Sequence, residues 1–417
     1  MHKGNLLANI RAVEIGTGRG GPGAGVLLAD LGAQVIKVES ITRVDSTRRA
    51  HGPVPDSPRP WNCTPGFMSR NHGKLDVTLD LTKPKGLDAF MRIIKVSDIY
   101  LSNMAVGAAE KLGITYKDLS TVNPGIIYLS STGFGRTGPY ARSVAMGNSI
   151  DGAAGLFALR DYGDGDGTAV SPSTHCDSIG ASTNALAILT ALYYRQKTGK
   201  GVFIDASMAE PSVCHIGEAV MDYSMNERVW RSLGNRHATR SPQGCYPCQG
   251  KDEWVTLSVA SDEEWRRLAG IIGDPRLAGD ARFNDILSRL KNQDEIDQVI
   301  RRWTESRTKS EVTRLLQEAG IAAGPVYNNA DVYADPHVRE QGYLETVDHP
   351  DAGRHLCPGR LWRLERTDVP PRSYAPCLGE HNEYVLREIA GLTAEEISDL
   401  ETRGIIGTVP RAGATAD

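Results

Sequence analysis

The first half of the chain alternates between short β-branched runs and longer amphipathic or alanine- and leucine-rich runs. Strands are expected at 11–15, 34–39, 75–81, 98–101 and 126–130, and helices at 22–31, 84–96, 105–112 and 116–122. Strand and helix in alternation build βαβ units around a mostly parallel sheet, so the α/β class is the expectation. Turn chemistry agrees. Gly32 stands where a helix ends before the second strand, and Asn123-Pro124-Gly125 turns the chain just before the fifth.

The strongest helix signal in the chain runs over 178–197. Asp177 is read as its N-cap, Arg195 and Lys197 suit the negative end of its dipole, and Gly199 follows. A strand is expected at 202–206. After about residue 225 the texture changes to a strand at 254–259 and charged amphipathic helices at 262–272, 294–305 and 310–319, which reads as a smaller α+β domain. Residues 324–376 read as loops and short strands, helices follow at 382–389 and 394–403, and the residues after Val409 are expected to be disordered. The expected division is 1–224, 225–325 and 326–417.

With 417 residues, 40% hydrophobic and 24% charged, the chain can bury a substantial core. A formal net charge of −4 argues against nucleic acid as a partner, because neutralising phosphates needs a basic face. The first strand begins at Arg11, which leaves no room for a secretory signal. The most apolar stretch, 179–194, contains Ser182, Thr183 and Asn184 and is unsuited to a bilayer. A cytoplasmic protein without a membrane partner is therefore expected. Seven cysteines, an odd number, point to reduced thiols. Cys245 and Cys248 have redox or zinc spacing, but no second pair completes a four-ligand site, so ordinary packing and no metal are expected. The Asp/Gly-rich run 161–168 lacks the spacing and terminal glutamate of a calcium loop.

Four stretches carry residue types suited to chemistry. Gly16-Thr-Gly-Arg-Gly-Gly21 follows a strand, opens a helix and precedes Glu39 by about 20 residues, which is the dinucleotide fingerprint almost as written. A turn containing Arg70, His72 and Lys74 reads either as solvated or as a phosphate contact. A glycine-rich loop, Gly133 to Pro139, lets backbone approach a ligand. His175-Cys176-Asp177 reads either as a helix cap or as a nucleophile. If that segment is extended, the adjacent side chains of His175 and Cys176 point apart. A carboxylate at a helix mouth stands among N–H groups able to stabilise an oxyanion.

Several of these stretches together resemble family III CoA-transferases, the group that includes formyl-CoA transferase, carnitine CoA-transferase and the benzylsuccinate CoA-transferase subunits. They are ADLGAQVIKVE (29–39), NHGK with VTLDL (71–74 and 77–81), GKGVFID (199–205) and GNRH (234–237). The resemblance implies a Rossmann-like large domain built from both chain ends, a smaller inserted domain and an interlocked dimer. It implies Asp177 as the catalytic carboxylate, passing through an aspartyl-CoA thioester. It also implies CoA contacts at Asn71, His72, Gly73 and Lys74, at Asn103, Met104 and Lys111, and at Thr132, Gly133, Phe134 and Gly135. Ser40 stands where the family often has a basic residue, so Arg43, or Arg48 or Arg49, is expected to supply that charge. CoA and acyl-CoA are substrates rather than bound cofactors, and the partner is a carboxylic acid. Succinyl-CoA as donor and benzylsuccinate or a similar dicarboxylate as acceptor are the expectation, in a homodimer or a heteromer with a related chain. Three other readings stay open: a nicotinamide-dependent oxidoreductase built on Gly16–Gly21 and Glu39, a non-catalytic partner subunit, and an acyl-CoA racemase using a His/Asp acid–base pair.

Overall fold

In the computed structural model, which describes residues 5–49, 56–162, 174–365, 367 and 372–411, the strands of the first half join one sheet. β1 (Arg11–Ile15), β2 (Gln34–Glu39), β3 (Leu75–Thr78), β4 (Ile99–Ser102), β5 (Ile127–Thr132) and β6 (Val202–Ser207) lie in the order β3-β2-β1-β4-β5-β6. Every pairing is parallel. Strands covered on both faces read as near-continuous apolar runs, and side chains of alternating residues go to two different cores. Val13, Ile36, Tyr100 and Tyr128 join one, while Ala12, Val35, Ile99, Leu101, Ile127 and Leu129 join the other.

The intervening helices are α1 (Gly20–Asp30), α2 (Pro65–Asn71), α3 (Pro84–Lys95), α4 (Ala108–Leu112), α5 (Tyr116–Val122), α6 (Gly147–Ala153) and α7 (His175–Thr198). α2 and α6 have no counterpart in the expected elements. Each is seven residues long and contains Gly and Ser, so neither carries two full turns of apolar periodicity. Leu75 to Leu81 was expected to be strand throughout, but β3 ends at Thr78. Leu79 and Asp80 then bond to Glu39 and Ile405.

The chain divides into two units. One comprises Met1–Leu156, Ser171–Met221 and Glu340–Asp417, and the other Phe157–Val170 and Asp222–Arg339. The large unit is thus built from both chain ends. Val385, Leu386 and Ile389 complete the core containing β1 to β5, and Asn382 accepts the Thr78 N–H at 2.8 Å. The second boundary falls at 339/340 rather than 325/326, because the hairpin Leu344–His349 with Gly353–Pro358 begins only there. The small unit holds a three-stranded antiparallel sheet, Gln243–Pro247, Trp254–Ser258 and Ala322–Val326. Its core is lined by Trp265, Ile296, Ile300, Trp303 and Leu316 from helices.

Residues 163–168 of the Asp/Gly-rich run and the tail from 412 lie outside the described residues. Among the described residues, no helix is long and apolar enough to cross a membrane.

Candidate active site

The strand order reverses between β1 and β4, and in such sheets ligands bind beyond the carboxyl ends of the strands at this switch point. The segments leaving β1 and β4 meet there. Asn103 takes the Thr17 N–H at 3.0 Å and donates to the Thr17 carbonyl at 2.8 Å. A Cβ on Gly21 would come within 2.9 Å of the Asn103 side chain, so this approach requires glycine. Asn103, an expected CoA contact, is thus also the clamp of the glycine loop.

Beneath the loop lies a buried ionic network. Lys37 pairs with Asp45 at 2.8 Å and with Glu14 at 3.3 Å, and donates to the Gly16 carbonyl at 2.8 Å. Arg48 binds Glu39 at 2.8 Å and Asp76 at 3.2 Å. Asp45 in turn accepts from Thr17 Oγ1 at 3.3 Å. Removing one member of such a network strands a buried charge, at a cost of about 3–5 kcal/mol. Burial, and next the Glu39 charge, hold the Asp76 carboxyl well above the usual range. Arg48 holds Glu39 down despite burial. Glu39 is therefore not the free carboxylate that a nicotinamide ribose needs, and the oxidoreductase reading loses its acidic residue. Arg48 likewise is not a surface charge replacing one at Ser40, whereas Arg43 and Arg49 are exposed.

Asp177 is not the N-cap of α7. Thr174 holds the cap position with extended backbone, and Asp177 is the third helical residue. Capping comes from elsewhere in the chain: Asp151 of α6 accepts the N–H of His175 at 2.8 Å and that of Cys176 at 2.9 Å. Asp151 is fully buried. This leaves Asp177 with one partner among the described residues, the Thr174 hydroxyl, donated to Oδ2 at 2.5 Å. Its Oδ1 faces the start of α1, where a Cβ on Gly20 would sit 3.8 Å away. On the other side a Cβ on Gly147 would be 3.0 Å from Oδ2 and 2.7 Å or less from Thr174, so only glycine fits there. Met208 closes the space beside Gly20.

His175 and Cys176 are helical, not extended. Neighbours one or two apart on a helix do not face each other, so neither pairs with Asp177. Burial, then the charges of Asp177 and Asp151, push the Cys176 thiol up to about 12, far from a reactive thiolate.

The structure separates the other expected contacts into two groups. Met104 follows β4, Thr132, Gly133, Phe134 and Gly135 follow β5, and Lys111 is exposed on α4. The Thr132 hydroxyl is buried without a hydrogen-bond partner among the described residues, and Phe134 packs near Ile150, Cys176 and Met208. Asn71, His72, Gly73 and Lys74 instead enter β3 at its opposite end. Lys74 donates to Glu14 at 2.8 Å, to the Pro22 carbonyl at 2.9 Å and to Asn71 at 2.9 Å. Its three protons are thus engaged inside the unit. Burial pushes its pKa down to about 8, with Glu14 opposing and Lys37 adding to the fall. His72 is buried against Asp30 at 3.4 Å. Cys245 lies on a strand and Cys248 in the small unit's core, and burial raises both thiols. Among the described residues no group of His, Cys, Asp or Glu is arranged to hold a metal.

The model of CoA-transferase family III matches residues 7–382. The chain is 33% identical, over 405 residues, to the succinyl-CoA–L-malate CoA-transferase beta subunit of Chloroflexus aurantiacus, covering 96% of this chain and 98% of that protein. It is 30% identical over 400 residues to the succinyl-CoA–D-citramalate CoA-transferase of the same organism, with 96% and 98% covered. The crystal structure of a CAIB/BAIF family protein from Brucella suis superposes with a TM-score of 0.85 at 28% identity, over 93% of this chain and all of that one.

Proposed function

The chain belongs to CoA-transferase family III and exchanges CoA between acyl-CoA and organic acids, and from that premise we propose that Asp177 carries the CoA as an aspartyl thioester. The observation behind this reading is a carboxylate with one oxygen unpartnered among the described residues, held between the starts of α1 and α7 at the sheet's switch point.

The Asp177 carboxylate attacks the donor thioester carbonyl and expels CoA thiolate, giving an acyl–aspartyl anhydride. The thiolate then attacks the aspartyl carbonyl and releases the donor acid as its carboxylate, leaving aspartyl-CoA. The acceptor carboxylate attacks that thioester and frees the thiolate again, which takes the new acyl group and restores Asp177. Covalent catalysis splits one difficult exchange into easier steps. One thioester replaces another, so the exchange needs no ATP. Each step develops an oxyanion, and preorganised N–H donors carry much of the rate in such chemistry. Asp151 already engages the first two N–H groups of α7. The first-turn N–H groups of α1, at Gly20 and Gly21, are the donors in this reading.

Succinyl-CoA is the proposed donor and a small dicarboxylate the acceptor, supported by relatives named for succinyl-CoA with L-malate and with D-citramalate. Benzylsuccinate, which contains the same succinate backbone, is an acceptor to test beside them. One relative is the beta subunit of its enzyme, which supports a second reading: this chain is a partner subunit of a heteromer and works beside a related chain rather than as a dimer of two copies. Purified wild-type chain should exchange CoA between succinyl-CoA and these acids, and Asp177→Ala should abolish exchange while the fold survives. Substantial exchange by the Ala variant would sink the assignment. Inactivity of the chain alone, restored by a co-purifying paralogue, would favour the second reading.

A further inference from the structure

The one bond that Asp177 makes comes from a residue released from its ordinary task. An N-cap threonine usually turns its hydroxyl oxygen toward the helix and accepts an N–H of the first turn. Thr174 is the N-cap of α7 and makes no such bond. Asp151 has taken over, accepting the N–H groups of His175 and Cys176 at 2.8 and 2.9 Å. The Thr174 hydroxyl is left to donate, and its proton goes to Asp177 Oδ2 at 2.5 Å, the length of a charge-assisted O–H···O⁻ bond.

The donor is held in that direction. A β-branched side chain has few χ1 choices, and a Cβ on Gly147 would come within 2.6 Å of Thr174 Cγ2. The methyl group is therefore seated against the bare backbone of Gly147, with the hydroxyl on the Asp177 side. Asp177 Oδ1 faces the start of α1 instead. Thr174 and Asp177 are both half-buried, within reach of a ligand.

The two oxygens have different fates in the carbonyl chemistry. Once Oδ1 has attacked the donor thioester, it bridges the anhydride and Oδ2 is the aspartyl carbonyl oxygen. The CoA thiolate then attacks the aspartyl carbon. A C–S bond forms, the carbonyl electron pair moves onto Oδ2, and collapse expels the donor carboxylate, which carries Oδ1 away. The acceptor carboxylate attacks the same carbon, puts the pair on Oδ2 again and expels the thiolate. Negative charge therefore appears on Oδ2 in both attacks on the aspartyl carbon, and Oδ2 is the oxygen that already faces a donor.

We propose that the Thr174 hydroxyl is a catalytic oxyanion donor, stabilising the charge that develops on Asp177 Oδ2 when the aspartyl carbonyl is attacked. The hydroxyl keeps its proton throughout. The proposal rests on Asp177 being the nucleophile and deepens that reading by dividing the donors. The N–H groups of α1, on the Oδ1 side, serve the acyl carbonyl, and Thr174 serves the aspartyl one.

The test incubates the purified chain with succinyl-CoA alone, which charges Asp177 with CoA and releases succinate. Mass spectrometry of quenched samples follows the CoA adduct in wild type, Thr174→Val and Thr174→Ser. Loss of one oxyanion donor costs about 100-fold. Thr174→Val should form the adduct about 100-fold more slowly at an unchanged half-saturating succinyl-CoA concentration, and Thr174→Ser should recover most of the rate. If Val retains the rate, or Ser is slower than Val, the side chain acts by packing and the proposal is overturned. A second measurement isolates the aspartyl carbonyl. The adduct, freed of succinyl-CoA by gel filtration, is treated with hydroxylamine, which attacks the aspartyl carbon and displaces CoA. Thiol release from Thr174→Val should again be about 100-fold slower than from wild type. Equal release rates would mean that Thr174 only orients the carboxylate, which overturns the oxyanion role. Thr174→Ala serves in both measurements if Thr174→Val fails to fold. A wild-type chain that turns over with no CoA adduct on Asp177 refutes the nucleophile and the proposal with it, a result distinct from an adduct whose rates ignore Thr174.

Discussion

Replacing Asp151 by alanine should unfold the large unit far more readily than replacing Asp177 does. Asp151 is fully buried and accepts the first two N–H groups of α7, at 2.8 and 2.9 Å. Without it both donors lose their acceptor in a region closed by Ile150, Cys176 and Met208. Each buried unsatisfied donor costs about 1–3 kcal/mol, and loss of an anion from a helix N-terminus adds about 0.5–1 kcal/mol. The two donors and the lost anion put Asp151→Ala at about 2.5–7 kcal/mol, a large share of an ordinary stability of about 5–15 kcal/mol. Asp177 is half-buried and makes one bond, to the Thr174 hydroxyl. Its loss should cost only about 1 kcal/mol. Asp151→Asn keeps one acceptor oxygen but turns an NH₂ toward the second N–H, and should fall between. Urea titrations followed by circular dichroism, with unchanged slope, measure all three. If Asp177→Ala is as destabilising as Asp151→Ala, or Asp151→Ala costs less than about 1 kcal/mol, the capping assignment fails.

Asp76→Asn should be tolerated at neutral pH. The Asp76 carboxyl is held well above the usual range, so the folded chain keeps a proton that the unfolded chain releases. Stability from this group is therefore greatest at low pH and falls as pH rises through its raised pKa. The Asn variant should show a flatter stability-versus-pH curve as pH rises above the ordinary aspartate range, whereas Arg48→Met, which strands Glu39, should cost about 3–5 kcal/mol; a steeper curve for Asn would contradict a protonated Asp76. Gly147→Ala drives a methyl group against Thr174 and Asp177. It should lower kcat at least about 10-fold with about 1–3 kcal/mol of destabilisation, checked by steady-state kinetics and melting. Cys176→Ala should retain transfer within a few-fold, because its thiol, near 12, is not a thiolate at neutral pH; abolished transfer in a folded Cys176→Ala would reopen the cysteine as nucleophile.

The βαβ frame was legible because its period and its turn residues are local. β1 and β2 and helix α5 lie where the pattern puts them. The strand order is not local, and it is what brings Asn103 onto Thr17 across 86 residues. The helix carrying Asp177 was legible too, but its cap was not. Asp177 has the residue type of an N-cap, whereas the actual acceptor, Asp151, is 24 positions away from His175 in a short Gly/Ser-containing helix. Lys74 misled for the opposite reason. A basic turn is ordinarily solvated, and nothing near it in sequence announces Glu14, 60 residues earlier, as its buried partner. Met208 and Gly147 left no signal beyond their types, since their importance is a matter of distance to Asp177 and Gly20.

The central claim is that CoA is carried on the Asp177 carboxylate. Incubating the purified chain with succinyl-CoA, quenching with hydroxylamine and mapping peptides by mass spectrometry tests this most directly. The account predicts an aspartyl hydroxamate at Asp177, absent from Asp177→Ala and dependent on the thioester. An unmodified Asp177 in a preparation that turns over, or a label on Cys176 instead, would contradict it.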